Sequence, residues 1–78
     1  MERAKILKKV NDIFIKVLDD ESITLNENTT AADVEGWDSL TQVQLVVSVE
    51  KLFKIRFTSK EILSWQNVGQ MIDCILKK

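Results

Sequence analysis

With 78 residues, 45% of them hydrophobic, and no proline, the chain has apolar material for one small core and not two, so a single domain over residues 1–78 is expected. A lone cysteine, Cys74, excludes an intrachain disulfide and a cysteine-based zinc cluster, and the lack of any histidine removes the usual general base and the commonest metal ligand. The formal net charge is only −1, no stretch reaches the ~20 apolar residues of a membrane span, and the charged segment from Met1 to Lys9 lacks a secretory pattern. A cytoplasmic protein without membrane insertion is the expectation, and nothing demands more than a monomer.

In chain order, Ile6, Leu7, Val10, Ile13, Phe14, Val17 and Leu18 recur at three- and four-residue steps. Lys5, Lys8, Lys9, Asp12 and Lys16 stand between them, which predicts an amphipathic first helix with its apolar stripe in the core. From Asp19 to Asp38 this periodicity stops and turn-forming Asp, Asn, Thr and Ser dominate, predicting a long loop. A loop of that length inside a small domain needs anchors, for which Ile23, Leu25 and Val34 are the candidates, and Thr29 and Thr30 lead into a short turn over Ala31 to Val34. Asp19, Asp20 and Glu21 lack the alternating ligands and central glycine of a calcium loop and read as a solvated loop entrance.

A second helix is predicted from about Ser39 to Phe53, with Leu45, Val46, Val49, Leu52 and Phe53 as its core stripe. Leu40, Val43 and Val47 form an adjacent set that either packs beside the stripe or stays exposed as a docking ridge. Ile55 and Phe57 then alternate with charged residues in an extended link, and Thr58-x-x-Glu61 is a capping box for a short helix through about Ser64. Asn67 is placed to cap a last helix whose Val68, Met71, Ile72, Ile75 and Leu76 share a face and whose Lys77 and Lys78 suit its negative end. Trp65 is expected to close the core between these two helices, and Cys74 to serve as a small buried apolar residue. The expected class is all-α: a small four-helix bundle, three helices longer and one short, with a long loop between helices 1 and 2.

The segment Gly36-Trp37-Asp38-Ser39-Leu40 places a hydroxyl where the loop turns into the second helix. First-turn N–H groups have no intrahelical partner and carry partial positive charge, so an anion bonded to Ser39 would be stabilised there. The alternative is structural, because Ser39-x-x-Gln42 also fits a capping box in which Ser39 does no more than cap. Without a histidine, Ser39 has no activator in its own chain, which disfavours a small hydrolase and assigns any chemistry at Ser39 to another protein.

Charge is segregated along the chain. Residues 1–16 carry five basic and two acidic side chains, residues 17–50 eight acidic and no basic ones, and residues 51–78 six basic and two acidic. The acidic band surrounds Ser39 in sequence and predicts partners with basic surfaces while disfavouring nucleic acid.

Around Asp38-Ser39-Leu40 the sequence resembles the acyl carrier protein family and the related peptidyl carrier domains. Val43, Leu45, Val46, Val49, Glu50 and Phe53 follow at the family's spacing, Phe57 stands where an aliphatic residue is usual, and Glu61, Val68, Ile72 and Ile75 continue the pattern. The resemblance implies a helical bundle that receives 4′-phosphopantetheine from coenzyme A on Ser39, through a phosphopantetheinyl transferase and a divalent metal. It further implies a non-catalytic carrier that holds acyl groups as thioesters, loaded by a ligase or acyltransferase and presented to synthases with basic docking surfaces in fatty acid or polyketide biosynthesis.

On this resemblance Asp38 helps hold the transferase's metal or else favours the helix end, and Leu40, Thr41, Gln44, Val47, Glu50 and Lys51 line the docking face. No metal site intrinsic to the chain is expected. At Thr41, Gln44 and Lys51 the fatty-acid carriers commonly show acidic residues, whereas this chain has two neutral side chains and a cation. That departure, with Trp37, suggests a specialised carrier outside the housekeeping fatty acid pathway. An aminoacyl or peptidyl carrier, and an unmodified helical interaction module, remain the alternatives.

Overall fold

A computed structural model describes residues 2–78 of the chain. Helix α1 spans Arg3–Leu18 and buries Ile6, Val10, Ile13 and Phe14, the inward half of the stripe seen in the sequence. It ends at Asp19, whose φ of 52° lies in the left-handed region and whose N–H donates to the Ile15 carbonyl. A short polar side chain tolerates that conformation better than a branched one.

The loop that follows is anchored as expected, with Ile23, Leu25 and Val34 all buried. Asn11 on α1 fastens it, accepting at Oδ1 from the Leu25 N–H (2.7 Å) and donating from Nδ2 to the Ile23 carbonyl (3.3 Å). Further on, Ala31–Asp33 forms a single 3-10 turn capped by Thr30, whose N–H donates to the Asp33 carboxylate at 3.0 Å.

Three more helices complete the bundle: α2 over Ser39–Phe53, α3 over Ser59–Ser64 and α4 over Val68–Lys77. The all-α class, the one short helix and the long loop between the first two helices agree with the expectation. Thr58 and Glu61 cap α3 reciprocally (2.9 and 3.1 Å), and the Asn67 side chain accepts from the Gln70 N–H at the start of α4 (2.9 Å). The core joins Phe14 and Ile6 of α1 to Leu45 and Val49 of α2 and to Val68, Met71, Ile72 and Ile75 of α4.

The loop also serves α4 directly. The Thr29 carbonyl accepts from the Val68 N–H (2.9 Å) and the Glu27 carbonyl from the Gly69 N–H (2.8 Å), so two first-turn donors of α4 are satisfied by loop backbone. A Cβ on Gly69 would stand 2.9 Å from the Glu27 oxygen, which explains a glycine inside a helix. Arg3 closes the same corner, pairing with Glu27, bonding Asp73 at 2.6 Å and donating to the Gly69 carbonyl at 3.2 Å. These two carboxylates hold the guanidinium in its charged form, and Arg3 in turn draws the Glu27 carboxyl below its ordinary range.

Some expectations need correction. Leu52 and Leu76 are 49% and 42% exposed, not core, because each lies at the margin of its helix's apolar arc. Trp65 does close the junction between α3 and α4, packing edge-on against Phe57 at 4.9 Å, but its indole N–H also donates to the Cys74 sulfur at 3.0 Å. Cys74 is therefore half-buried and hydrogen-bonded, not a fully enclosed apolar residue. Among the described residues, no helix is long and apolar enough to cross a membrane.

Candidate functional site

Three residues shape the turn that presents Ser39. Gly36 has a φ of +88°, a conformation that favours glycine, and its carbonyl accepts from the Thr41 hydroxyl at 2.7 Å. Trp37 points inward, its ring meeting Phe14 edge-on at 4.8 Å while its indole N–H donates to Gln42 Oε1 at 2.6 Å. The loop is thus held both to the core and to the helix it introduces.

Asp38, not Ser39, is the N-cap of α2. Its Oδ1 accepts from the N–H groups of Leu40 (3.0 Å) and Thr41 (2.9 Å), and the Asp38 N–H donates to the Thr41 hydroxyl (2.9 Å). The alternative in which Ser39 caps through Ser39-x-x-Gln42 is therefore not adopted; the box is formed one residue earlier, by Asp38 and Thr41. Gln42 braces Trp37 instead. Asp is as good an N-cap as Ser, and side-chain geometry places the cap on Asp38.

Ser39 is consequently exposed at the first position of a 15-residue helix. Neither its hydroxyl nor its amide takes part in a hydrogen bond among the described residues. Substitution at Ser39 Oγ breaks no bond of the fold, and the amide of Ser39 itself remains available beside it. A phosphodiester fits such a position, as a negative group on the positive end of a helix.

Asp38 contributes a second feature. The Thr41 N–H above all, with a lesser contribution from the Leu40 N–H, holds its carboxyl below the ordinary range, against desolvation as the second largest effect. It stays negative next to Ser39, and its bonds run through Oδ1, leaving Oδ2 free. A cap and a contribution to a metal held by another protein are compatible in this geometry. Within the chain, no group of His, Cys, Asp or Glu side chains could hold a metal among the described residues.

The remaining site residues separate into two groups. Leu40, Val43 and Val47 are 73%, 62% and 42% exposed, so the second apolar set of α2 stays outside the core as a ridge beginning beside Ser39. Gln44 and Lys51 are also exposed along α2. Thr41 and Glu50 are half-buried and already occupied: Thr41 in the cap, Glu50 accepting from the Phe57 N–H at 2.8 Å to hold the link after α2.

On the other side of Ser39, Trp65 takes the cavity-lining role that sequence reasoning allowed it only as an alternative to closing the core. A cleft of ≈ 200 Å³ runs between the start of α2 and the α3–α4 junction, lined by Ser39, Trp37 and Gln42 on one wall and Trp65, Asn67 and Met71 on the other. The far wall comes from residues more than 25 positions away, so no local pattern announces it.

Comparison with known proteins bears on this site directly. The family model described as "Phosphopantetheine attachment site" matches residues 8–75. The chain is similar to an acyl carrier protein of Chlorobium phaeobacteroides, 30% identical over 78 residues and the full length of both. It is also similar to the solution NMR structure of a holo acyl carrier protein from Geobacter metallireducens, with 42% identity and a TM-score of 0.86 over 92% of this chain and 83% of that one. The chain therefore belongs to the acyl carrier protein family, whose members are non-catalytic carriers with 4′-phosphopantetheine as prosthetic group.

Proposed function

We propose that Ser39 is the attachment residue and that residues 1–78 act as one carrier domain. The observation that carries this reading is the division of labour at the head of α2: Asp38 performs the cap, and Ser39, exposed and unbonded, has no structural task. In the loading step, Ser39 Oγ attacks the pyrophosphate phosphorus of coenzyme A that bears the pantetheine. The phosphoanhydride bond breaks, the adenosine bisphosphate leaves, and the hydroxyl proton passes to a base on the transferase, since this chain offers no histidine. Once attached, the group supplies a thiol that holds acyl cargo as a thioester.

The roles left to the chain are presentation and recognition. Asp38 keeps a negative charge at the helix start and a free oxygen toward the transferase's metal. Leu40, Val43 and Val47 give enzymes an apolar strip, with Gln44 and Lys51 beside it. Neutral Thr41 and Gln44 and cationic Lys51 support a carrier with dedicated partners outside the housekeeping fatty acid pathway, because a basic synthase surface finds fewer carboxylates on α2.

The test is intact-mass spectrometry after incubation with coenzyme A, magnesium and a broad-specificity transferase. One phosphopantetheine is expected on the parent chain and none on Ser39→Ala. Loading of Ser39→Ala to the parent's extent would overturn the assignment. Dedicated partnership is tested separately, by whether a housekeeping ketosynthase binds this carrier less tightly than its own.

A further inference from the structure

The outer face of α2 changes character along its length. The apolar ridge of Leu40, Val43 and Val47 runs into Lys51, which sits on the shared rim of two open depressions. One depression is bounded by Val47, Lys54 and Arg56. The other lies between α1 and α2, with Lys16 and Val17 on one side, Ser48 and Lys51 on the other, and the half-exposed Leu52 at its edge. Lys9 belongs to the same flank, its Nζ 5.9 Å from the centre of the Phe53 ring.

None of these five cations forms an ion pair among the described residues. Ion pairs among the described residues join Arg3 to Glu27 and Asp73, and Lys78 to Glu61. The carboxylate of Glu50, which borders the first depression, accepts from the Phe57 N–H and keeps its negative charge, and Asp12 forms no ion pair with Lys16 one turn away on α1. An apolar centre flanked by five cations, against the one lining carboxylate of Glu50 among the described residues, is thus set at the far end of the helix that begins with Ser39. Its sign is opposite to that of the acidic band in residues 17–50.

We propose that this flank of α1 and α2, centred on Leu52 and Lys51, is a docking surface for a protein partner that presents carboxylates around an apolar side chain. Lys51 follows Ser39 by twelve residues of one helix, so the partner's acidic patch lies about 18 Å along α2 from the Ser39 end. The surface rests on the carrier reading only in taking that partner to be an enzyme acting at Ser39. A partner of this kind needs both signs of charge: basic groups toward Asp38 and acidic groups toward Lys51. Polyanions meet the apolar centre with nothing to bury, and the acidic band repels them, so nucleic acid and anionic membranes fit less well.

The probe is a pair of short peptides of identical Glu and Leu composition. In one, leucines at helical spacing form a stripe flanked by glutamates; in the other, the order is scrambled. Titrated into the full isotope-labelled chain, the patterned peptide is expected to shift the amide signals of Lys16, Ser48, Lys51 and Leu52, with roughly tenfold higher affinity than the scrambled one. The variant K51E/R56E, with both changes at exposed positions, is expected to lose about the same factor while keeping the parent's melting temperature and its spectrum elsewhere. S39A is expected to bind as the parent does, so failure of phosphopantetheine loading, read by mass, leaves this result intact. Equal affinity for the scrambled peptide, shifts centred on other lysines, or tighter binding to phosphatidylglycerol vesicles than to the patterned peptide would each overturn the proposal.

Discussion

Helices α1 and α2 are almost equal in length, sixteen and fifteen residues, and they pack antiparallel, with Lys9 beside Phe53 at one end and Val17 near Ser48 at the other. Their inner faces are alike and fully buried. Their outer faces differ: α1 exposes Lys5, Lys8, Lys9, Asp12 and Lys16, whereas α2 exposes Leu40, Val43, Gln44, Val47 and Leu52, with Lys51 as its one exposed charge. A helix needed only for its core face carries charge outward, as α1 does. Contiguous apolar residues left in water on α2 gain nothing for the isolated fold and suit the proposed docking surface.

The starts of the two helices differ in the same direction. Glu2 caps α1 without any side-chain bond, while α2 begins with the reciprocal Asp38–Thr41 arrangement, the Gly36 turn and the Trp37 brace. Local order is concentrated where Ser39 is presented.

The strongest way to break this contrast is from the inside. Phe14→Ala removes a side chain with no exposure and with an edge-on contact to Trp37, at a cost of about 3–5 kcal/mol. Small domains of this size retain on the order of 3–5 kcal/mol in all. Circular dichroism at 25 °C is expected to show a largely unfolded chain, and a cooperative melt close to the parent's would show that α1 is not the structural half.

A smaller effect separates the helix starts. The carboxyl of Asp38 is lowered in the folded chain, so its contribution is complete above the ordinary carboxylate range and is lost as the pH falls through the lowered value, in the acid region below about 4. NMR titration is expected to show the amide signals of Leu40 and Thr41 moving together in that window. Asp38→Asn keeps an acceptor and removes the titration; if the two signals still move, another group controls this end.

The smallest effect on stability belongs to the ridge. Leu40→Ala, at a 73% exposed position, is expected to change stability by no more than about 0.5 kcal/mol. The rate of loading by the transferase is nevertheless expected to fall roughly fivefold, since an exposed apolar anchor near the reacting hydroxyl contributes to docking. Destabilisation without slower loading would return Leu40 to the core.

Legibility in the sequence followed the physical range of each interaction. The stripe of α1, the capping box Thr58-x-x-Glu61 and the Asn67 cap act over three or four residues and leave residue-type signatures, so all could be read directly. The head of α2 was legible in position but not in assignment, because the box read at Ser39-x-x-Gln42 gives way to a cap by Asp38 that depends on the placement of the Trp37 indole and the Thr41 hydroxyl. The hold of the loop on α4 was invisible, since carbonyls of Glu27 and Thr29 do that work and any residue type has a carbonyl; Gly69 was its one trace. Arg3 was read as part of a basic segment, yet its partners stand 24 and 70 positions away.

The cleft beside Ser39 has an optical consequence. The chain contains two tryptophans and no tyrosine, and both indoles, Trp37 and Trp65, stand in the walls of that cleft. Ultraviolet emission from this protein therefore originates almost wholly beside Ser39, so arrival of the proposed group on that serine can be followed by native fluorescence without a dye.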